Sequence, residues 1–240
     1  MKTKALRIIS ILLLVVLILV LGTAIAGAIA KSNLAKQYPA PGQLVDVGGY
    51  KMHINCTGQG SPTVILAAGS LEYSLFWALV QPEVAGFTRV CAYDRAGYGW
   101  SESSPRPRTA IIMVEELHTL LTNGKIEGPY VLVGHSLGGM MMRVYAQKYP
   151  DEVTGLVLVD SIHEEQIFRL PEIQKRLLQE GVRQFRMLAL LSSTGIMALA
   201  PQNIPNPGLP DDAYAQLQAT TATGGDFETN IAELKVMEES

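Results

Sequence analysis

Gly134-His135-Ser136-Leu137-Gly138 is the one stretch of this chain whose residue types and spacing prescribe chemistry. It follows the apolar run Tyr130-Val131-Leu132-Val133 and precedes a helix-like stretch from Gly139 to Tyr149. G-x-S-x-G between a strand and a helix holds its serine on a turn too tight for side chains at the flanks. The Ser136 hydroxyl then projects from the carboxyl edge of a sheet, where a substrate carbonyl can reach it. Serine is a weak nucleophile at neutral pH and needs a base, usually a histidine oriented by a carboxylate. His163 is the sole histidine after Ser136, and Asp160 ends a strand just before it; both are candidate partners. Each also has a plainer reading, His163 as a satisfied polar residue and Asp160 as the cap of a turn. His135 lies inside the motif and points away from Ser136, while His53 on a strand and His118 on a helix are poorly placed as bases.

The elements that must position Ser136 are legible from their patterns. Thr63 to Gly69, Arg89 to Asp94, Tyr130 to Val133 and Val153 to Asp160 are continuous apolar runs, as expected of strands covered on both faces. Gln43–Val47 and Tyr50–Thr57 form a hairpin about Gly48-Gly49. Leu75 to Ala85 reads as a helix kinked at Pro82, and Thr109 caps a helix that stops at Gly124. Strand and helix in alternation give a mostly parallel α/β sheet. From His163 onward the pattern is helical: Glu164 to Leu191 with a new segment at Pro171, a proline-rich loop from Gly195 to Pro210, then Asp211–Leu217 and Asp226–Val236.

The elbow and the segment Asp94-Arg95-Ala96-Gly97-Tyr98-Gly99-Trp100-Ser101, a D-R-x-G-x-G-x-S run, resemble the α/β-hydrolase superfamily in its esterase, lipase and haloperoxidase-like branch. The resemblance covers Gln43 to His163. It implies a serine hydrolase that opens an ester or similar acyl bond of a small, apolar substrate through an acyl-enzyme. It places the oxyanion hole at the backbone N–H groups of Leu137 and Ser70, with Ala68 where the family usually has histidine. Asp94 and Arg95 are then residues that hold the loop shaping the pocket floor. Residues 43–162 become the hydrolase core and 163–240 a helical cap, in which Met187, Leu190, Leu191, Met197 and Leu199 face the substrate or pack the cap onto the core. In this family the acid and then the histidine follow the cap; the chain reaches Ser240 before either, so the resemblance implies a C-terminally incomplete sequence whose last strands are missing. The sheet is then expected to keep an open apolar edge at Val153–Asp160. Two alternatives stand beside this reading: a non-catalytic binding module of the same fold, and a haloperoxidase-like or carbon–carbon bond hydrolase. Dehalogenases and epoxide hydrolases of the fold carry aspartate at the elbow, which Ser136 argues against.

The 240 residues carry a net charge of −3, so no basic face points to nucleic acid. Only 17% of residues are charged, against roughly 25% in soluble domains, and part of the deficit lies in Ile8 to Ala30, which has no charge. That segment is long enough to cross a bilayer, which takes about 20 apolar residues. Lys2, Lys4 and Arg7 precede it; Lys31 and Lys36 follow. The reading is a cytoplasmic stub (1–7), a signal anchor (8–30), a linker (31–42) and an extracytoplasmic domain at the cell membrane. A secreted protein freed by cleavage after Ala24-Ile25-Ala26 or Ala28-Ile29-Ala30 is the alternative. By the resemblance, Cys56 and Cys91 lie on neighbouring strands, where they form a disulfide outside the cell or pack as two free thiols. No ligand cluster suggests a metal, and no glycine pattern suggests a cofactor.

Overall fold

A computed structural model describes residues 2–163 and 165–239. The first element, α1 (Lys2–Gln37), is one unbroken helix. Its aliphatic residues from Leu6 to Leu21 stand clear of the rest of the protein, and the helix is long and apolar enough to cross a membrane. The expected linker over 31–42 is thus helical as far as Gln37. Lys31 to Gln37 contain neither glycine nor proline, and Leu34, Ala35, Lys36 and Gln37 all favour helix. The helix stops before Tyr38, whose helical conformation is disfavoured by the following Pro39.

Six strands build the sheet: β1 (Gln43–Asp46), β2 (Lys51–Thr57), β3 (Thr63–Ala67), β4 (Val90–Tyr93), β5 (Tyr130–His135) and β6 (Val153–Val159). Their spatial order is β1-β2-β4-β3-β5-β6. β1, β2 and β4 pair antiparallel, whereas β4, β3, β5 and β6 run parallel. The β1–β2 turn is held by the Asp46 carboxylate, which accepts the N–H groups of Gly48 and Gly49 at 2.9 and 3.1 Å.

Two helices, α3 (Ala110–Asn123) and α4 (Leu137–Lys148), cover one face of the sheet. Ile65, Cys91, Tyr93 and Leu132 point into that layer together with Leu117, Leu120, Met141 and Tyr145. Alternate residues Val64, Leu66, Val90 and Ala92 face the other side, against Trp77. Burial on both faces is why the strands read as unbroken apolar runs. Thr109 caps α3 through its hydroxyl, which accepts Ile112 N–H at 3.3 Å. The single helix expected over Leu75–Ala85 is instead a 3-10 turn, Ser74–Trp77, followed by α2 (Gln81–Ala85). Pro82 sits in the first turn of α2, where its missing N–H costs nothing, so it begins a helix rather than bending one.

β6 lies at the edge of the sheet, with Leu156, Val157, Leu158 and Val159 each 40–47% exposed. The chain then becomes helical in α5 (Gln166–Arg169), α6 (Glu172–Ser193), α7 (Asp211–Thr223) and α8 (Asp226–Glu239). α7 runs past the expected end at Leu217, because Leu217 and Ala213 pack on Tyr73, Leu75 and Tyr98, and Thr220 bonds the Tyr73 hydroxyl. Met187, Leu190, Leu191 and Leu199 were candidates for pocket wall or core. All four are exposed, so they do not pack the helical segment onto the core, and Met197 is half-buried. The cause is that α6 and the 3-10 turn Ile196–Leu199 turn Ala189, Ser192 and Ala198 inward.

Candidate functional site

Ser136 stands between the last residue of β5 and the first of α4. Its backbone is at φ 52°, ψ −118°, outside the regions that side-chain-bearing residues normally occupy. Such a conformation costs on the order of 1–3 kcal/mol and persists only where the surroundings impose it. They do so here. A Cβ at position 134 would lie 2.5 Å from the Gly138 carbonyl, and one at position 138 would lie 2.3 Å from the Ala67 oxygen. Only glycine fits at either flank. Ser136 N–H donates to Val159 O, and Ile162 N–H donates to Ser136 O, both at 3.2 Å, so β6 and its following turn also hold the elbow.

Two segments flank the serine. Leu137 is the first residue of α4, and its N–H has no partner within the helix; the helix dipole there favours negative charge. The other is the turn after β3. Ala67 pairs with Gly134, which carries the next residues alongside His135 and Ser136, and a Cβ on Gly69 would lie 3.1 Å from Ser136 Cβ. Arg95 fixes this turn: its guanidinium donates to the carbonyls of Ala68 at 2.6 Å and Gly69 at 2.9 Å. Because C=O and N–H point opposite ways across a trans peptide, that bond turns Ser70 N–H away from Arg95.

Arg95 is itself buried and needs a counter-charge. Glu233 of α8 supplies it, accepting Arg95 Nε–H at 2.9 Å and the Tyr98 hydroxyl at 2.8 Å. Burial alone would lower the Arg95 pKa, but Glu233 outweighs it and holds the guanidinium firmly charged. Beside it, Asp94 accepts the N–H groups of Ser74 (2.9 Å) and Trp100 (3.0 Å) and bonds His53 Nδ1 at 2.9 Å. Burial raises the Asp94 pKa, yet His53 and these donors together bring it below the usual carboxylate range. Asp226 caps the same turn from α8, accepting Gly99 N–H at 3.1 Å. No cation among the described residues offsets its burial, and its pKa is pushed up to about 7.

Asp160 extends the register from the His135–Val159 pair and so sits beside Ser136 at the same sheet edge. It is exposed, with φ at 42°. His163 is exposed as well, and its Nδ1 accepts Glu165 N–H at 3.2 Å. No hydrogen bond among the described residues joins either side chain to Ser136. His135 bonds the Glu72 carboxylate at 2.7 Å, and the same carboxylate oxygen accepts Gly69 N–H at 2.9 Å. His118 stacks on Tyr149, away from the elbow. Cys56 and Cys91 are opposite each other in the β2–β4 register and form a disulfide. No group of ligands among the described residues could hold a metal ion.

Glu72 and Glu233 were not anticipated. Glu233 did leave a trace, since Asp226, Thr229, Asn230 and Glu233 recur at helical spacing along one face of α8. Such a polar stripe normally faces water. Here all four are buried against the turn after β4. Glu72 left no such signal.

Comparison with known proteins agrees with the fold. The family described as the alpha/beta hydrolase fold matches residues 62–197, more than half of the chain. An uncharacterized vacuolar membrane protein of Saccharomyces cerevisiae is 33% identical over 150 residues, which is 55% of this chain and 23% of that one. A candidate carbamate hydrolase of Yersinia enterocolitica is 38% identical over 117 residues, 46% of this chain and 41% of the relative. The chain thus spans less than half the length of either. Among solved structures, the epoxide hydrolase CorEH superposes with a TM-score of 0.63 at 20% identity, over 80% of this chain and 71% of that one. This last likeness is one of fold.

Proposed function

The chain belongs to the α/β-hydrolase fold family, and on that premise we propose that it carries the nucleophile of a membrane-anchored serine hydrolase acting on an ester or similar acyl bond. The observation that carries the proposal is the strained backbone of Ser136 at the strand-to-helix turn, flanked by the Leu137 N–H and the Gly69–Ser70 turn. In this reading Ser136 Oγ attacks the acyl carbon while a base takes its proton. Negative charge gathers on the former carbonyl oxygen, which accepts from Leu137 and Ser70 N–H. Collapse expels the alcohol or amine and leaves an ester on Ser136, which water then cleaves. The α1 helix anchors the protein with its basic end in the cytoplasm, and residues 163–240 form the cap. A relative described as a vacuolar membrane protein and another described as a candidate carbamate hydrolase support these two halves of the reading.

No histidine among the described residues bonds Ser136, and the exposed apolar residues of β6 leave room for further strands. The reading requires a base and its orienting acid to reach Ser136 from the β6 side of the elbow, where Asp160 stands. A second reading is a binding module of the same fold without catalysis, since no described histidine bonds Ser136. Labelling by a fluorophosphonate and hydrolysis of p-nitrophenyl butyrate separate the two. The full-length protein is expected to do both, and Ser136→Ala to do neither. A protein that is folded yet unlabelled would overturn the hydrolase reading and leave the binding module.

A further inference from the structure

The helical segment meets α1 at a contact of two glycines. A Cβ on Gly27 would lie 2.8 Å from the backbone of Gly195, and one on Gly195 equally close to Gly27. Side chains are thereby excluded, and the 3-10 turn Ile196–Leu199 sits directly against the helix. Thr23, Gly27, Ala30 and Leu34 form the face of α1 turned toward the domain, while the residues before Thr23 stand clear of it. At 1.5 Å per residue, a hydrocarbon core of about 30 Å takes roughly 20 residues. Counted from Leu6, that length ends near Ile25, so the Gly27–Gly195 contact falls where α1 leaves the hydrocarbon.

At this level the protein shows apolar side chains to its surroundings. Ile196 and Leu199 are 42% and 45% exposed, and Met187 and Leu190, on the last turns of α6, are 62% and 61% exposed. Leu191 extends the same patch. Arg183 and Arg186 are also exposed and border it on α6. Clustered apolar residues with basic neighbours suit the boundary between acyl chains and headgroups better than water.

We propose that the surface formed by Met187, Leu190, Leu191, Ile196 and Leu199 inserts into the leaflet from which α1 emerges. The protein is then held by a spanning helix and also rests on the bilayer through its helical segment. The occupant is identified by continuity, because the patch adjoins the helix that enters that bilayer. This inference rests on α1 being a membrane span, which its test examines separately.

The test uses the full-length protein in phosphatidylcholine–phosphatidylglycerol vesicles. Single cysteines replace Leu190, Leu199, Leu14 or Phe87 and carry a nitroxide label; the two native cysteines are joined to each other and do not react. Phe87, in the turn between α2 and β4, is 76% exposed and reports the aqueous side. Labels at 190 and 199 are expected to be relaxed by oxygen and several-fold less than the label at 87 by a water-soluble nickel chelate. Labels at 190 and 199 as open to nickel as that at 87 would overturn the inference. So would labels shielded from both agents, which would mean that protein covers the patch. A nickel-accessible label at 14 would instead show that α1 does not span the membrane, removing the anchor and the docking together.

Discussion

The guanidinium of Arg95 donates to the carbonyl of Gly69 at 2.9 Å, and through that bond a residue in the turn after β4 sets the direction of the Ser70 N–H. The same guanidinium is neutralised by Glu233 on α8. One buried cation therefore ties together the turn beside Ser136, the D-R-x-G-x-G-x-S loop and the helical segment.

Replacing Arg95 by methionine is expected to lower kcat by about 10²–10³-fold, the usual cost of losing one oxyanion donor. It also leaves the Glu233 carboxylate buried and unpaired, at about 3–5 kcal/mol of stability. The double variant Arg95→Met, Glu233→Gln is expected to recover most of the stability but none of the rate. Thermal unfolding and steady-state kinetics on the three proteins separate the two effects.

Ser136 holds its place at the elbow at the cost of backbone strain. Ser136→Gly should therefore raise stability by about 1 kcal/mol, since glycine adopts φ near +52° without a steric cost. Ser136→Ala keeps the strain and should leave stability close to wild type. Denaturant midpoints of the two variants check this, and an equal shift in both would place the strain elsewhere.

Asp226 makes stability depend on pH. In the folded protein it keeps its proton up to about pH 7, whereas its ordinary value is 3.8. Between these limits the folded state binds more protons than the unfolded one, so stability falls as pH rises through the window. His53 is also shifted upward: burial lowers its pKa, but Asp94 more than offsets this, so it slopes the same way. The difference between Asp226→Asn and wild type isolates the carboxylate. The variant is expected to gain stability progressively from pH 4 to pH 7 and to hold that gain above it. Melting temperatures across that range test the slope.

The disulfide joins positions 35 residues apart across β2 and β4. Cys56→Ser with Cys91→Ser is expected to cost about 2–4 kcal/mol, chiefly by releasing the unfolded chain. Urea unfolding of the double variant, alongside wild type with and without reductant, measures it.

Local constraints made much of this protein legible from its residues alone. The apolar runs marked β3, β4 and β5 because both faces of the sheet are covered there, and the glycines around Ser136 marked a turn that no other residue fits. Thr109 announced the start of α3 because a cap is satisfied within three residues. The charge-free run from Ile8 to Ala30 likewise defined a helix able to span a bilayer. Pairings between distant segments were another matter. Nothing near Arg95 in sequence names Glu233 as its counter-charge, and nothing near Gly69 names Arg95 as the group that turns its peptide. The polar face of α8 and the apolar face of α6 each invited the opposite environment from the one they occupy. Burial belongs to the assembled tertiary structure, because a side chain's surroundings are set by whichever element packs over it and not by its neighbours along the chain.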